Sequence, residues 1–462
     1  MFYLQIIMRL KIIILLLLFI PIGGYAQISG TWHGAIRLTK YYQLPIVLHI
    51  SPSDNSYTAT LDSPEQNANG ITIDTLSYDS ATNVLSFESK YITARYQGTM
   101  ANDTIRGLFA QNGKFLPLVL TRGEYIRKLP DLPYNTKEIT FSSGDITLSG
   151  TLTTPRTIEK PIAIVLVAGS GPNNRDSKIG PHQPLYDIAD YLTKEGFTVL
   201  RYDKRGIGAS NGTYKAAMIN DFKTDAKAAI EYLRDTLQYQ KVGIIGHSEG
   251  GLIAEMIAAE EPFTTDFIIL LAAPGVNGIE TVVYQNKVMM SYLIKEERAE
   301  AFGRITSAVF QEIAFNTTTR QEDSIQFVKY IDAVIPLVKD EQQQSIGEMM
   351  RGEQYFQATL NSITSPYYKN FLRTNPAQYL PYIVCPILAI NGSKDTQVKA
   401  DTNLNAIQTL ATKSRSVTIH EVEGLNHLFV QANTGLPQEY WLLKPGFSEK
   451  VLSIINDWLS KL

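Results

Sequence analysis

The segment that decides the fold of this chain is Lys241-Val242-Gly243-Ile244-Ile245-Gly246-His247-Ser248-Glu249-Gly250-Gly251-Leu252-Ile253-Ala254. A short apolar run typical of a buried strand leads into the spacing G-x-S-x-G at residues 246–250, and a helical pattern continues to residue 259. A strand, this turn and a helix, in that order, form the context in which a nucleophile elbow occurs. The segment therefore predicts that Ser248 is a nucleophile held on a sharp turn.

The two glycines of this pattern have a steric reason. A serine on a tight turn between a strand and a helix occupies a strained backbone region, and side chains two positions to either side would collide with their neighbours. Gly246 and Gly250 remove those side chains. The first backbone N–H groups of the helix then point toward any oxyanion that forms beside Ser248.

Length and composition indicate an ordinary globular protein. A chain of 462 residues predicts two or three domains, and 44% hydrophobic with 19% charged residues is typical of a folded chain. The formal net charge of -3 offers no basic surface, so we do not expect nucleic acid as a partner. The single cysteine, Cys385, excludes an internal disulfide and a cysteine metal site.

The N-terminus has the pattern of a secretory signal peptide. Arg9 and Lys11 precede an apolar run at residues 12–20, and small residues follow up to Ala26. We therefore expect a signal peptide at residues 1–26, cleavage after Ala26, and a secreted or periplasmic protein with no stable membrane span after cleavage. An uncleaved anchor remains the alternative, because apolar residues extend back to Ile6.

Residues 27–122 predict a small all-β domain. Short runs rich in β-branched and aromatic residues are separated by turn residues, which is typical of a small antiparallel barrel or sandwich. The runs that predict strands are residues 36–38, 46–50, 57–61, 84–88, 91–96, 104–109 and 116–120. Residues 123–136, with Pro130 and Pro133, are the predicted linker.

Residues 137–462 alternate between strand and helix patterns, which favours a doubly wound, mostly parallel sheet. After a hairpin near Gly144, the strands are predicted at residues 162–167, 198–203, 241–246, 267–271, 386–391 and 416–422. Between the fourth and fifth of these, residues 275–382 have helical patterning and no strand pattern. We expect this insertion to be a helical cap over the active site; the alternative is a structural elaboration away from it.

A serine nucleophile needs a base, and the base needs an acid that holds it in one tautomer. Asp395 follows the strand at residues 386–391, and His427 follows the strand at residues 416–422. The order serine, aspartate, histidine is the one this fold requires. The competitors are Asp401 as the acid and His182, His247 and His420 as the base. Each of these three histidines is expected to be structural or peripheral.

Two backbone N–H groups are expected to form the oxyanion hole. One belongs to Glu249, directly after the nucleophile, and the other to Ser170, in the loop that follows the strand at residues 162–167. Gly171 is the alternative to Ser170. The carboxylate of Glu249 is expected either to face the cap or to be solvated.

With these motifs the sequence resembles the α/β-hydrolase superfamily, and more narrowly the bacterial secreted serine esterases grouped with the serine aminopeptidase-like hydrolases. The resemblance covers residues 137–462. It rests on Gly171-Pro172, Asn174-Arg175-Asp176, Arg201-Tyr202-Asp203-Lys204-Arg205-Gly206-Ile207-Gly208-Ala209-Ser210, Gly246-His247-Ser248-Glu249-Gly250-Gly251 and Gly424-Leu425-Asn426-His427. Many members begin the oxyanion loop with His-Gly, whereas this chain has Ala168-Gly169; because the donor is a backbone N–H group, this difference does not remove it. A small β domain such as residues 27–122 accompanies some esterases of this group.

The resemblance and the motifs together imply hydrolysis of small carboxylic esters through a Ser-His-Asp triad, without a cofactor or a metal. One alternative is an aminopeptidase, which would need an acidic group for the substrate amine; the cap offers Glu296, Glu297 and Glu300, which at this spacing also fit a solvated helix face. A third hypothesis is that the β domain binds a glycan or another cell-surface component. The sequence sets neither the acyl chain length nor the oligomeric state.

Overall fold

A computed structural model of the protein describes residues 28–53, 56–66, 68–126, 131–157 and 160–462. The predicted signal peptide and residues 127–130 of the predicted linker lie outside this part of the chain. The described residues divide into two compact units, and the division falls after residue 130. None of the described helices is both long and apolar enough to span a membrane.

The described residues of the first unit form a nine-stranded antiparallel sheet with the order β4-β3-β2-β1-β9-β8-β7-β6-β5. The strands are β1 (Gly30–Arg37), β2 (Gln43–Ser53), β3 (Ser56–Ser63), β4 (Ala68–Thr72), β5 (Thr75–Asp79), β6 (Val84–Ser89), β7 (Ala94–Ala101), β8 (Thr104–Gln111) and β9 (Lys114–Arg122). Their inward side chains join one core around the fully buried Trp32, whose indole N–H donates to the Ile28 carbonyl at 2.8 Å. One sheet around one core, rather than two stacked sheets, is therefore the architecture.

Two of these strands were not predicted from the sequence. The strands β4 and β5 have the sequences ANGIT and TLSYD, in which polar residues and a glycine leave little apolar alternation. Pairing with β3 and β6, respectively, supplies the backbone hydrogen bonds that hold them in the sheet. The predicted run at residues 91–96 begins three residues too early, because Thr93 has a positive φ of 53° and β7 starts at Ala94.

The second unit contains an eight-stranded sheet, as far as it is described, with the order β10-β11-β13-β12-β14-β15-β16-β17. The strands are β10 (Asn135–Ser143), β11 (Ile146–Thr154), β12 (Ile162–Val167), β13 (Thr198–Tyr202), β14 (Lys241–His247), β15 (Ile268–Leu271), β16 (Ile387–Gly392) and β17 (Val417–Val422). The pairs β10/β11 and β11/β13 are antiparallel and the others are parallel. The predicted doubly wound sheet has this mostly parallel form.

Helices cover both faces of this sheet. They are α1 (Pro184–Lys194), α2 (Ile219–Glu231), α3 (Glu249–Glu260), α4 (Gly278–Met290), α5 (Ala299–Gln311), α6 (Arg320–Val334), α7 (Gln343–Arg351), α8 (Glu353–Ile363), α9 (Pro366–Arg373), α10 (Ala400–Leu410) and α11 (Glu449–Leu459). Alternate residues of one strand enter different cores, so that Val165 packs on one face and Ile164 on the other. This burial on both faces explains the continuous apolar runs of the central strands.

The helices α4 to α9 are inserted between β15 and β16 and share a core of their own around Phe302, Phe327 and Val334. The remaining elements follow the strand and helix order expected from the sequence. An eight-stranded, mostly parallel sheet with helices on both faces, a helical insertion and a preceding all-β unit confirms the predicted α/β-hydrolase fold class.

Candidate active site

Ser248 is the residue between β14 and α3, and its backbone has φ 55° and ψ -121°. A positive φ is costly for a residue with a side chain, and such strain is found mainly where function requires it. The Ser248 N–H donates to the Leu271 carbonyl at 2.8 Å, which ties the turn to the neighbouring strand β15. A Cβ on Gly246 would overlap the Gly250 carbonyl, and one on Gly250 would overlap the Val167 carbonyl. The turn therefore requires glycine at both positions for the steric reason inferred from the sequence.

Asp395 and His427 are brought together although 32 residues separate them. The Nδ1 atom of His427 lies 2.7 Å from Oδ2 of Asp395, and both residues are at least 96% buried. The other oxygen of Asp395 accepts the backbone N–H groups of Gln397 and Val398 at 2.8 and 2.9 Å. A carboxylate can only accept a hydrogen bond, so the Nδ1 atom of His427 carries the hydrogen. The Nε2 atom of the neutral imidazole is therefore left as the basic nitrogen.

The loop that carries His427 is held by its neighbour Asn426, which is fully buried. The side-chain oxygen of Asn426 accepts the backbone N–H groups of Leu428 and Val430 at 3.0 and 3.1 Å. The turn closes at Phe429, which has a φ of 57°. Asn426 thus fixes the backbone on either side of the histidine, a role that the motif Gly424-Leu425-Asn426-His427 does not by itself reveal.

His247 joins the histidine loop to the elbow. Its Nε2 lies 2.8 Å from the His427 carbonyl oxygen, to which it donates, and the two imidazole rings are 4.8 Å apart between centroids. Burial, with the nearby His427 as a second cause, lowers the pKa of His247 to about 3. Of the two expectations for His247, structural or peripheral, the contact favours the first: His247 is a neutral donor that holds the backbone of His427.

The loop after β12 passes directly over the elbow. A Cβ on Gly169 would lie 3.1 Å from the Ser248 Cβ, so a small residue is required there. Within the described part of the chain, the backbone N–H groups of Ser170 and Glu249 donate to no protein acceptor. The N–H group of Ser170 is thus free for a ligand, and the choice between Ser170 and Gly171 stays a prediction.

The carboxylate of Glu249 is not solvated, which corrects one of the two expectations for it. Glu249 is 2% exposed, and its Oε1 lies 3.1 Å from Nζ of Lys204. Its Oε2 accepts a hydrogen bond from the hydroxyl of Tyr367 in α9. The Glu249 carboxylate therefore faces the inserted helices. The buried ammonium of Lys204 and the hydroxyl of Tyr367 are its partners.

The other candidate acid and bases lie elsewhere. Asp401, in the first turn of α10, is exposed and pairs with Lys399 at 3.0 Å. His182 is buried with Nε2 at 2.8 Å from the Tyr440 carbonyl oxygen, and burial lowers its pKa. His420 lies within β17 and is half-buried. None of the three contacts Ser248, Asp395 or His427 through a described hydrogen bond.

The inserted helices reach the site at two points. The Tyr284 hydroxyl of α4 donates to the Asp395 carbonyl at 2.8 Å, and burial with Asp395 as a second cause raises its pKa to about 12. Tyr367 of α9 contacts Glu249, as described above. A cavity of about 1010 Å³ lies beside Tyr284 and Val398, but neither Ser248 nor His427 lines it. This cavity is therefore lined by the inserted helices and by the segment around α10, not by the residues of the predicted triad.

A protein-family model described as "Serine aminopeptidase, S33" matches residues 182–431, which include Ser248, Asp395 and His427. This chain belongs to that family. It is therefore a hydrolase of the α/β-hydrolase type, and the resemblance inferred from the motifs is confirmed.

The relatives of this S33 family member include named esterases and hydrolases. Esterase EstD of Thermotoga maritima is 26% identical over 346 residues, which cover 74% of this chain and 72% of EstD. The human serine hydrolase BPHL is 32% identical over 95 residues, covering 20% of this chain and 32% of BPHL. Among solved structures, the Pyrococcus furiosus esterase PF2001 is 17% identical with a TM-score of 0.45, covering 73% of this chain and 96% of the other.

Proposed function

We propose that the protein hydrolyses carboxylic esters through a Ser-His-Asp triad of Ser248, His427 and Asp395. The observation that carries the proposal is the buried 2.7 Å contact between His427 and Asp395, next to a strained serine elbow. Asp395 orients His427 and stabilises the imidazolium that forms when Nε2 takes the Ser248 proton. A serine hydroxyl without such a base is a poor nucleophile at neutral pH.

In the proposed reaction, Ser248 Oγ attacks the acyl carbon of the ester while His427 accepts its proton. The negative charge on the former carbonyl oxygen is stabilised by the free N–H groups of Glu249 and Ser170. His427 then returns the proton to the leaving alkoxide, and the alcohol departs from an acyl-enzyme. A water molecule, deprotonated by His427, completes the cycle by attacking the acyl-enzyme, and the carboxylic acid is released.

Esters are preferred over short peptides because the described acidic groups near the nucleophile are not free for a substrate amine. Glu249 is compensated by Lys204 and Tyr367, so it offers no unpaired charge to an ammonium group. The cap glutamates Glu296, Glu297 and Glu300 are exposed, and Glu300 pairs with Lys287 at 2.7 Å. The relative EstD is named an esterase, which agrees with this preference, whereas the family description favours an aminopeptidase as the second candidate.

Two further parts of the proposal concern the setting of the reaction. We propose that the helices between β15 and β16 act as a cap, since Tyr284 contacts Asp395 and Tyr367 contacts Glu249. We also propose that the protein is exported, on the basis of the N-terminal pattern with small residues up to Ala26.

The test is paired hydrolysis of p-nitrophenyl acetate, butyrate and octanoate against aminoacyl p-nitroanilides, with the mature protein from Gln27. We expect ester turnover that the Ser248→Ala variant reduces by about a millionfold. A matched control is Ser362→Ala, at an exposed serine in α8, which should behave as the unmodified protein. Anilide turnover above ester turnover would move the protein to the peptidases, and full activity in Ser248→Ala would refute the proposed nucleophile.

A further inference from the structure

Lys204 is a buried cation beside the nucleophile that the proposed reaction does not use. It follows β13, and its side chain is 5% exposed. Its ammonium donates to the Gly169 carbonyl at 2.6 Å and to Oε1 of Glu249 at 3.1 Å, and it lies 4.5 Å from the ring centre of Phe222. A buried charge is stable only if it is well paired and hydrogen-bonded, and these contacts supply that pairing.

The Gly169 carbonyl is part of the same peptide group as the Ser170 N–H. The peptide is planar, and none of the described peptide bonds is cis, so the carbonyl and this N–H point in opposite directions. Lys204 therefore holds the side of the peptide opposite to the free N–H of Ser170. The Asn173 side-chain amide donates to the same carbonyl at 2.9 Å, which makes the orientation of the peptide doubly constrained.

The second contact of Lys204 reaches the residue that carries the other free N–H. Glu249 is bound through its carboxylate to Lys204 and to the hydroxyl of Tyr367, while its backbone begins α3 directly after Ser248. Burial, and next the charge of Glu249, raises the pKa of Tyr367, so its hydroxyl stays protonated as a donor. One ammonium thus contacts both the peptide that carries the Ser170 N–H and the side chain of Glu249.

We propose that Lys204 is the positioning residue of the oxyanion hole: it fixes the Ser170 N–H through the Gly169 carbonyl and the Glu249 N–H through the Glu249 carboxylate. The proposal rests on the proposed function, because it assumes that both N–H groups bind the oxyanion. Polarisation of the Gly169 carbonyl by a cation also strengthens the N–H donor of the same peptide. Tyr367 links this arrangement to the inserted helices through Glu249.

The decisive variant is Lys204→Met, which keeps the length and the apolar stem of the side chain but removes the ammonium. We expect kcat for p-nitrophenyl butyrate to fall about 10- to 100-fold with KM within about threefold, because the lost interaction acts on the transition state. The affinity for a trifluoromethyl ketone, whose hemiketal oxygen occupies the oxyanion position, should fall in the same proportion. Activity is expressed per active site, counted by the burst with a p-nitrophenyl phosphonate.

A second variant, Lys204→Met with Glu249→Gln, leaves no buried charge unpaired, and it carries the same expectation if the single variant does not fold. Lys223→Met is the matched control, since Lys223 pairs with Glu260 away from the nucleophile. An unchanged kcat per active site together with a lower melting temperature would overturn the proposal and leave Lys204 a structural ion pair. Loss of the serine mechanism is separable, because it would show in Ser248→Ala and not in the Lys204 variants.

Discussion

Among the residues described up to position 126, the polar side chains that are buried are Ser63 and Ser89. The unit from residue 131 onward differs, because it buries many side chains that can carry a charge. The buried arginine, lysine, aspartate and glutamate side chains of its described residues are Arg201, Asp203, Lys204, Asp225, Glu249, Glu255, Asp323 and Asp395. Both units have an apolar core built on a sheet, so a folded structure does not need this buried charge. Since burying charge costs free energy unless it is compensated, its concentration in one unit indicates where the chemistry lies.

The buried charges of the second unit also differ among themselves. On the helix α3, Glu249 has two donors at its carboxylate, whereas neither carboxylate oxygen of Glu255 has a partner among the described residues. Burial raises the pKa of Glu255 well above the ordinary value of glutamic acid. One carboxyl therefore has an ammonium and a phenol as partners beside the nucleophile, and the other is held neutral within the core. The predictions below separate these cases, in order of decreasing effect.

The largest effect is expected at the acid of the proposed triad. Asp395→Asn should lower kcat for esters by about 10⁴-fold, because an amide cannot hold His427 in the tautomer that accepts the Ser248 proton. Asp401→Asn, at an exposed aspartate that pairs with Lys399, is the matched control and should leave kcat unchanged. Steady-state kinetics of both variants measures the difference. Equal activity of the two would mean that Asp395 is not the orienting acid.

A smaller effect, on stability and not on activity, is expected at Glu255, where a substitution should stabilise the protein. The unfolded chain loses this proton near pH 4.5 while the folded protein retains it, so the free energy of unfolding decreases as the pH rises above that value. Glu255→Met should therefore raise the free energy of unfolding by about 1 to 3 kcal/mol at pH 8, with a smaller gain at pH 5. Urea denaturation at both pH values measures the gain. The control is Glu260→Gln on the same helix, and a gain independent of pH would contradict a neutral Glu255.

The partner of Glu249 in the inserted helices allows a finer test. Tyr367→Phe removes one donor from a buried carboxylate, which should cost about 1 to 2 kcal/mol of unfolding free energy and lower kcat severalfold. Tyr368→Phe, at the neighbouring tyrosine of α9, is the control for the loss of a hydroxyl. Thermal denaturation and ester kinetics are measured on both. If Tyr367→Phe lost neither stability nor activity, Glu249 would not depend on the inserted helices.

The smallest effect is expected in the first unit. His49 pairs with Asp62 at 2.9 Å, but the histidine side chain is 40% exposed, so solvent weakens the interaction. His49→Ala should change the free energy of unfolding by less than about 1 kcal/mol and leave ester kinetics unchanged. Chemical denaturation followed by tryptophan fluorescence, to which the buried Trp32 of this unit contributes, measures the first quantity. A loss of activity in this variant would break the contrast between the two units.

The β strands of the second unit and the elbow could be read from the sequence because their determinants are local. Continuous apolar runs such as residues 162–167 correspond to strands buried on both faces, and the glycines at 246 and 250 are required by the turn that they flank. The order of Ser248, Asp395 and His427 indicated which strand ends to examine. The structure then brings Asp395 and His427 into contact, while their roles in catalysis remain a proposal.

The strands β4 and β5 could not be read in the same way. Their polar residues give no alternation, and they are strands because β3 and β6 offer unpaired backbone groups. The hydrogen bond of His247 could not be predicted for a related reason, since its acceptor, the His427 carbonyl oxygen, lies 180 residues away in the sequence.

The sequence by itself determined the fold class, the elbow and the residues of the proposed triad, because strand periodicity, glycine at a tight turn and chain order are properties of short segments. Only the tertiary structure decided that Glu249 is buried and paired with Lys204 and Tyr367. Positions 204, 249 and 367 belong to a loop, to the helix after the elbow and to an inserted helix. No local sequence pattern predicts that these three side chains contact one another. That choice follows from packing, since a charge in the interior is stable only where the fold brings a partner to it.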